Sequence, residues 1–126
     1  MASSVRVLLV DEDEDVLAIA EQFLERADED FAVTTAASAT AALERVDDRP
    51  VDAVVTDYRM PETDGISLAE AVRDRCEVPV FLFTARHDSD LEREVEDAPV
   101  AGYVTKRTGT GQYAELAAEI RDAVGD

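Results

Sequence analysis

Five short runs along this chain are rich in β-branched and aromatic residues, and between them apolar residues recur every three or four positions. VRVLLV (Val5 to Val10), FAVTTA (Phe31 to Ala36), DAVVT (Asp52 to Thr56), VPVFLFT (Val78 to Thr84) and VAGYVT (Val100 to Thr105) predict strands. Val16, Ala20, Phe23, Leu24 and Ala27 fall on one helical face, as do Tyr113, Leu116, Ala117, Ile120 and Val124 near the end. Ser38 is placed to cap a shorter helix carrying Ala41, Ala42, Leu43 and Val46, and Ile66, Leu68, Ala69 and Val72 follow Gly65 in another. The segment Ser89 to Glu96 offers only Leu91 and Val95 as apolar anchors, which predicts a thin, mobile helix.

Strands alternating with helices specify an α/β fold, a right-handed, doubly wound parallel sheet with helices on both faces. The nearly unbroken apolar character of the first and fourth runs agrees, because strands covered on both faces need not alternate. At 126 residues the chain has the length of one domain, so residues 1–126 are expected to form a single unit. No window approaches eighteen apolar residues, and the start MASSVRVLLV lacks the pattern of a signal peptide. The expectation is a cytoplasmic protein with no membrane partner.

Charge narrows the partners. Thirty Asp and Glu against twelve Lys and Arg give a net charge of −18, spread along the chain. Such a surface repels nucleic acid, and it repels itself unless salt screens it. Abundant acid with almost no lysine suggests a halophilic origin and predicts that stability rises with salt. Cys76 has no second cysteine to pair with and is expected to be inert.

Four of the apolar runs stop on residues suited to phosphate chemistry: Asp11 with Glu12, then Asp57, then Thr84, then Lys106, the only lysine of the chain. If the runs are parallel strands, those ends share one edge of the sheet, where open α/β folds place their ligands. VVTDYRMPETDG (Val54 to Gly65), with Asp57 followed by Met60, Pro61 and Gly65, resembles the phosphoacceptor segment of a two-component response-regulator receiver domain of the chemotaxis-regulator kind. Together with Asp11 and Glu12, Thr84 in FLFTA and Lys106 in GYVTK, the resemblance covers essentially the whole chain.

The resemblance implies a flavodoxin-like strand order 2-1-3-4-5, in which the first and third strands are neighbours and Asp11, Glu12 and Asp57 converge. Three clustered carboxylates raise one another's pKa unless a hard cation neutralises them, and Mg²⁺ suits oxygen donors of this kind. By resemblance, Glu12 binds the ion directly, Asp11 mainly through water, the backbone carbonyl of Arg59 adds a ligand, and Asp57 both binds metal and accepts the phosphoryl group. Lys106, the Thr84 hydroxyl and the Ala85 backbone N–H would contact that group, and Thr84 with Tyr103 would form the switch. The implied partners are a histidine kinase or phosphotransfer protein and a downstream protein reading the face of helix four, strand five and helix five. The protein would be a switch rather than a turnover enzyme, either stand-alone or the receiver portion of a longer signalling protein.

Glu12 stands where the family commonly has aspartate and Arg107 where it commonly has proline. These departures leave an unphosphorylated protein-binding scaffold as an alternative. A haloacid-dehalogenase-type phosphohydrolase, with Asp11 as nucleophile and Asp13 as acid, is the enzyme alternative. The string Asp11, Asp13, Asp15 does not make a calcium loop, because Val16 stands where glycine is required. Gly109 and Gly111 lack the lysine-serine ending of a Walker motif, and His87 reads as a surface residue in a polar loop.

Overall fold

The first two apolar runs form strands with the limits their composition predicts, β1 (Val5–Val10) and β2 (Phe31–Ala36). β3 (Ala53–Thr56), β4 (Val80–Thr84) and β5 (Gly102–Thr105) start one or two residues later than predicted. For β4 the reason is Pro79, which has no N–H to give to a ladder; its carbonyl still accepts from Val54 N–H at 3.0 Å. The computed structural model describes residues 4–60, 63–84, 89–106 and 111–124, and at 89, 90, 91 and 97 only the helical backbone.

The helices are α1 (Glu14–Ala27), α2 (Ala39–Asp48), α3 (Gly65–Arg75), α4 (Ser89–Asp97) and α5 (Gly111–Val124). Three of them begin on a side-chain cap: Asp13 accepts from the N–H groups of Asp15 and Val16, Ser38 from Ala41, and Asp64 from Ser67. The five strands pair in parallel in the order β2-β1-β3-β4-β5. Alternate β1 side chains serve two cores. Val7 and Leu9 pack with Leu24, Leu116 and Ile120 of α1 and α5. Leu8 and Val10 pack with Ala42 of α2 and Leu68 and Val72 of α3. Truncating fully buried leucines such as these to alanine costs about 2–5 kcal/mol each, so the sheet is a stiff platform for whatever its edge carries.

One helical face differs from expectation. Leu17, Ala20 and Leu24 are the buried residues of α1, Val16 and Phe23 flank them, and Ala27 is exposed. With the helix starting at the Asp13 cap, the stripe centred on Leu17 faces the sheet, which leaves the last residue outside. The α4 segment matches its thin pattern: Val95 is half-buried against Tyr58 and Leu82, while the Leu91 side chain lies outside the described residues. No helix among the described residues is long and apolar enough to cross a membrane.

Candidate functional site

The ladders hold three chemically active residues one step beyond their strands. Asp11 N–H donates to the Ala36 carbonyl at 3.2 Å, Asp57 N–H to the Val10 carbonyl at 3.1 Å, and Lys106 N–H to the Thr84 carbonyl at 2.7 Å. Val10 stands opposite Thr56 in register, so the next residues, Asp11 and Asp57, leave the sheet side by side. Lys106 comes from the far edge and joins them: its ammonium donates to Asp11 Oδ2 at 2.8 Å and lies 3.4 Å from Asp57 Oδ2. The three side chains retain only 8, 19 and 22% of their exposure for Asp11, Asp57 and Lys106, so water screens these charges weakly.

Burial alone would drive the Lys106 amine towards neutrality. The hydrogen bond to Asp11 and the charges of Asp57 and Asp11 outweigh it and hold the ammonium above its ordinary range. The ammonium lies over the Phe83 ring, with Nζ 5.6 Å from the centroid. Beneath Asp11 and Asp57 there is a pocket of only about 10 Å³, floored by Val16, Leu17, Ala20 and Phe83. A reacting group must therefore approach from the outer side.

The exit from β3 is tied down closely. Tyr58 N–H donates to Asp57 Oδ1 at 2.7 Å, the Thr56 hydroxyl to the Asp57 carbonyl at 3.0 Å, and Gly65 N–H to the Tyr58 carbonyl at 2.6 Å. Arg59, exposed, faces Asp64 across the antiparallel bridge so closed. Gly65 is a steric requirement: a Cβ there would sit 2.5 Å from the Asp57 carbonyl oxygen and 2.7 Å from Leu82 Cδ2. Thr84 is buried beside Thr105 in the β4–β5 register. Tyr103 is half-buried on β5, its hydroxyl donating to Glu92 Oε1 at 3.4 Å.

Glu12 departs from the expected convergence. It is exposed, and among the described residues no three His, Cys, Asp or Glu side chains gather closely enough to hold a metal ion. Asp11 Oδ1 accepts from Asp13 N–H at 2.9 Å, a side-chain turn that leaves Glu12 at its outer tip. Two carboxylates and one ammonium therefore converge where three carboxylates were expected. The remaining donors still suit Mg²⁺, which takes one or two carboxylates and completes its shell with water. Ala85, Pro61, His87, Arg107 and Gly109 lie outside the described residues.

Asp13 caps α1 through Oδ1 and is exposed. Cys76 is half-buried at the end of α3, where burial first and the charge of Asp47 second push its thiol pKa up and keep it unreactive at neutral pH. Tyr58 was not singled out by its sequence context. An aromatic directly after a strand-end carboxylate was the available signal, and its ring is buried against Leu82.

Comparison with known proteins bears on the whole assembly. The model of the response regulator receiver domain matches residues 7–119. Transcriptional regulatory protein PrrA of Mycobacterium leprae is 37% identical over 125 residues, which cover 94% of this chain and 49% of that protein. Transcriptional regulatory protein CseB of Streptomyces coelicolor is 42% identical over 109 residues, covering 84% and 44% respectively. The chain spans about half the length of these curated relatives. In fold it is similar to the CheY-like receiver domain protein of Methanospirillum hungatei JF-1, with a TM-score of 0.82 at 22% identity over 97% of this chain and 94% of that one. With the family match running from within β1 into α5, the chain belongs to the response regulator receiver domain family, the signalling modules of two-component systems.

Proposed function

We propose that residues 1–126 form one receiver domain that accepts a phosphoryl group on Asp57. The observation that carries this reading is the Lys106 ammonium, 95 residues from Asp11 in sequence yet bonded to it at 2.8 Å, and 3.4 Å from Asp57. In the transfer, an Asp57 carboxylate oxygen forms the new O–P bond as the P–N bond to a phosphohistidine breaks in line. The departing electron pair stays on the imidazole nitrogen. Positioning and charge neutralisation supply most of the rate enhancement in such reactions. Lys106 neutralises charge on the phosphoryl oxygens, Thr84 donates its hydroxyl, and the Ala85 N–H is assigned the same role.

Receiver domains generally bind Mg²⁺ at the phosphorylation site. Here Asp11 and Asp57, the Arg59 carbonyl and, on reorientation, Glu12 are the donors assigned to it, and the ion would add positive charge beside the phosphoryl oxygens. The donor is a histidine kinase or phosphotransfer protein. The reader is a protein docking on the face of α4, β5 and α5, to which Thr84 and Tyr103 relay the change. The site moves one phosphoryl group onto and off its own side chain, so it is a switch and not a turnover enzyme. A surface of net charge −18 fits a cytoplasm rich in salt and no nucleic-acid contact by this domain.

Intact mass after incubation with acetyl phosphate and Mg²⁺ in high salt tests the reading. The parent should gain about 80 Da, the mass of a phosphoryl group, and Asp57→Asn should not. A parent that gains nothing, or a variant that gains equally, overturns it and leaves the scaffold alternative.

A further inference from the structure

We propose that Tyr58 is a latch joining the phosphoacceptor to α4, a deepening that rests on the reading of Asp57 above. Two of its bonds point in opposite directions along the chain of contacts, one to the phosphoacceptor and one to α4. Its backbone N–H donates to Asp57 Oδ1 at 2.7 Å, and its hydroxyl donates to Glu94 Oε1 of α4 at 2.9 Å. The ring between them is buried with Leu82 and packs against Val95 of the same helix. The state of the Asp57 carboxylate is thus one rigid aromatic side chain away from α4.

Why the latch matters follows from the helix itself. In SDLEREVED, Val95 is the apolar residue that packs into the described core. Two tyrosine hydroxyls supplement it from different strands: Tyr58 after β3 to Glu94, and Tyr103 on β5 to Glu92 at 3.4 Å. The Tyr58 bond is the shorter and the less exposed, and it is the one attached to the reacting residue.

Phosphorylation changes the acceptor at the other end. A carboxylate oxygen that becomes part of an acyl phosphate loses its share of the formal charge, and hydrogen bonds to ionised acceptors are roughly twice as strong as neutral ones. The Tyr58 N–H is then held less firmly by Asp57, while the new phosphoryl oxygens compete for it. A shift of the Tyr58 backbone carries the hydroxyl with it and releases Glu94, loosening α4 on the face assigned to the reader. The Tyr58–Glu94 bond is intact in one state and broken in the other.

The test is hydrogen exchange of the α4 amides in parent and Tyr58→Phe, each with and without acetyl phosphate and Mg²⁺, with intact mass recorded on every sample. Phe keeps the ring and the backbone N–H, and removes only the hydroxyl. Without phosphodonor, α4 should exchange about fivefold faster in Tyr58→Phe, the change expected for one hydrogen bond. Phosphorylation should speed α4 exchange in the parent and add little in the variant. Equal exchange in unphosphorylated parent and variant overturns the latch. So does an equal speeding by phosphorylation in both. A second cycle, Tyr58→Phe with Glu94→Ala, guards against unrelated loss of helix: the double variant should exchange no faster than Glu94→Ala alone, and a multiplied effect rejects the pairing. A parent without the mass gain rejects the Asp57 reading itself, and the coupling with it. Labelled parent with unresponsive α4 rejects the latch alone.

Discussion

Opposite ends of the sheet carry two clusters of the same composition, one cation between two aspartates. At the carboxyl ends of the strands, Lys106 reaches Asp11 at 2.8 Å and Asp57 at 3.4 Å. At the other end, Arg121 of α5 reaches Asp28 and Asp30 in the turn between α1 and β2. Sequence separation is almost equal, 95 residues for Lys106 to Asp11 and 93 for Arg121 to Asp28. Geometry is not. Arg121 meets Asp28 with two parallel bonds, Nε to Oδ2 at 2.9 Å and Nη2 to Oδ1 at 2.8 Å, and touches Asp30 at 3.2 Å while its guanidinium carbon lies 5.7 Å from the Phe31 ring centroid. A planar fork satisfies both carboxylate oxygens and fixes the helix end. Lys106 is a point charge that bonds one oxygen of Asp11 and stands further from one oxygen of Asp57. The Arg121 cluster is built to stay closed. The Lys106 cluster leaves an acceptor able to react.

The largest test of that contrast removes each cation. Lys106→Ala should slow acetyl phosphate labelling of Asp57 by about 100-fold or more, the loss typical of deleting one electrostatic stabiliser of a transition state. Arg121→Ala should leave the labelling rate within about twofold and lower the melting temperature instead, because the α5 end is released. Labelling time courses by intact mass, with melting curves on the same samples, separate the two. Comparable labelling losses in both variants would erase the distinction between clasp and site.

Glycines sharpen the same division. Gly65→Ala pushes a Cβ against the Asp57 carbonyl and the Leu82 side chain, so it should destabilise by about 1–3 kcal/mol as overpacking does, and slow labelling by displacing the β3 exit. Gly111→Ala at the start of α5 meets nothing within 4 Å and should be neutral or stabilising by up to about 1 kcal/mol. Urea titration of both variants measures the difference. A Gly65→Ala protein as stable as its parent would mean that the loop has room to relax.

Much of this was legible in the chain, and the parts that were not share a cause. Strand ends, the Ser38 cap and the buried face of α5 are set by neighbours within a few residues, and Val5–Val10, Phe31–Ala36 and the stripe Tyr113, Leu116, Ala117, Ile120 matched their patterns. The α1 stripe was misjudged by about one position at each end, with Leu17 inside and Ala27 outside, because periodicity defines a stripe but its centre depends on where the sheet lies. Asp11, Asp57 and Lys106 were found together because each ends a strand, so topology alone gathers them. Glu12 was misplaced because a turn of Asp13 N–H onto Asp11 decides its exposure, a detail below the resolution of spacing. The Asp28–Arg121 clasp and the Tyr58–Glu94 bond went unseen, since each joins surface charges or hydroxyls far apart in sequence with no apolar pattern to announce them.

Exchanging the two cations should give smaller effects of opposite kind. Lys106→Arg puts a fork where a point charge stood, so the guanidinium can bind both oxygens of a carboxylate and compete with the incoming phosphoryl group. Labelling should fall about tenfold while the melting temperature holds or rises. Arg121→Lys loses the second parallel bond to Asp28, so the melting temperature should fall slightly and labelling should not change. If Lys106→Arg labels as fast as the parent, charge alone matters at the site and bond geometry does not.

The mildest test is pH, where the two clusters should fail at opposite limits. At the clasp, the hydrogen bond from Arg121 holds the Asp28 carboxyl below its ordinary 3.8, outweighing the opposing effect of burial. A folded pKa below the unfolded one means stability that is present above about pH 3.8 and lost as pH falls through the folded value. At the site, burial works against the Lys106 ammonium, but Asp11 and Asp57 raise its pKa above the ordinary 10.5. A raised cation contributes fully below 10.5 and loses its contribution as pH climbs through the folded value. Because Lys106 is the only lysine, no other ammonium side chain overlaps that alkaline limb. Cys76 does overlap it: burial raises its thiol pKa from 9.0, so its neutral form also favours the folded state until higher pH. In a Cys76→Ala background, Asp11→Asn should therefore flatten the loss of melting temperature above pH 10.5. Asp28→Asn should flatten the limb below pH 3.8 and leave the alkaline one. The alkaline limb belongs to the Lys106 end of the sheet only if Asp28→Asn leaves it unchanged.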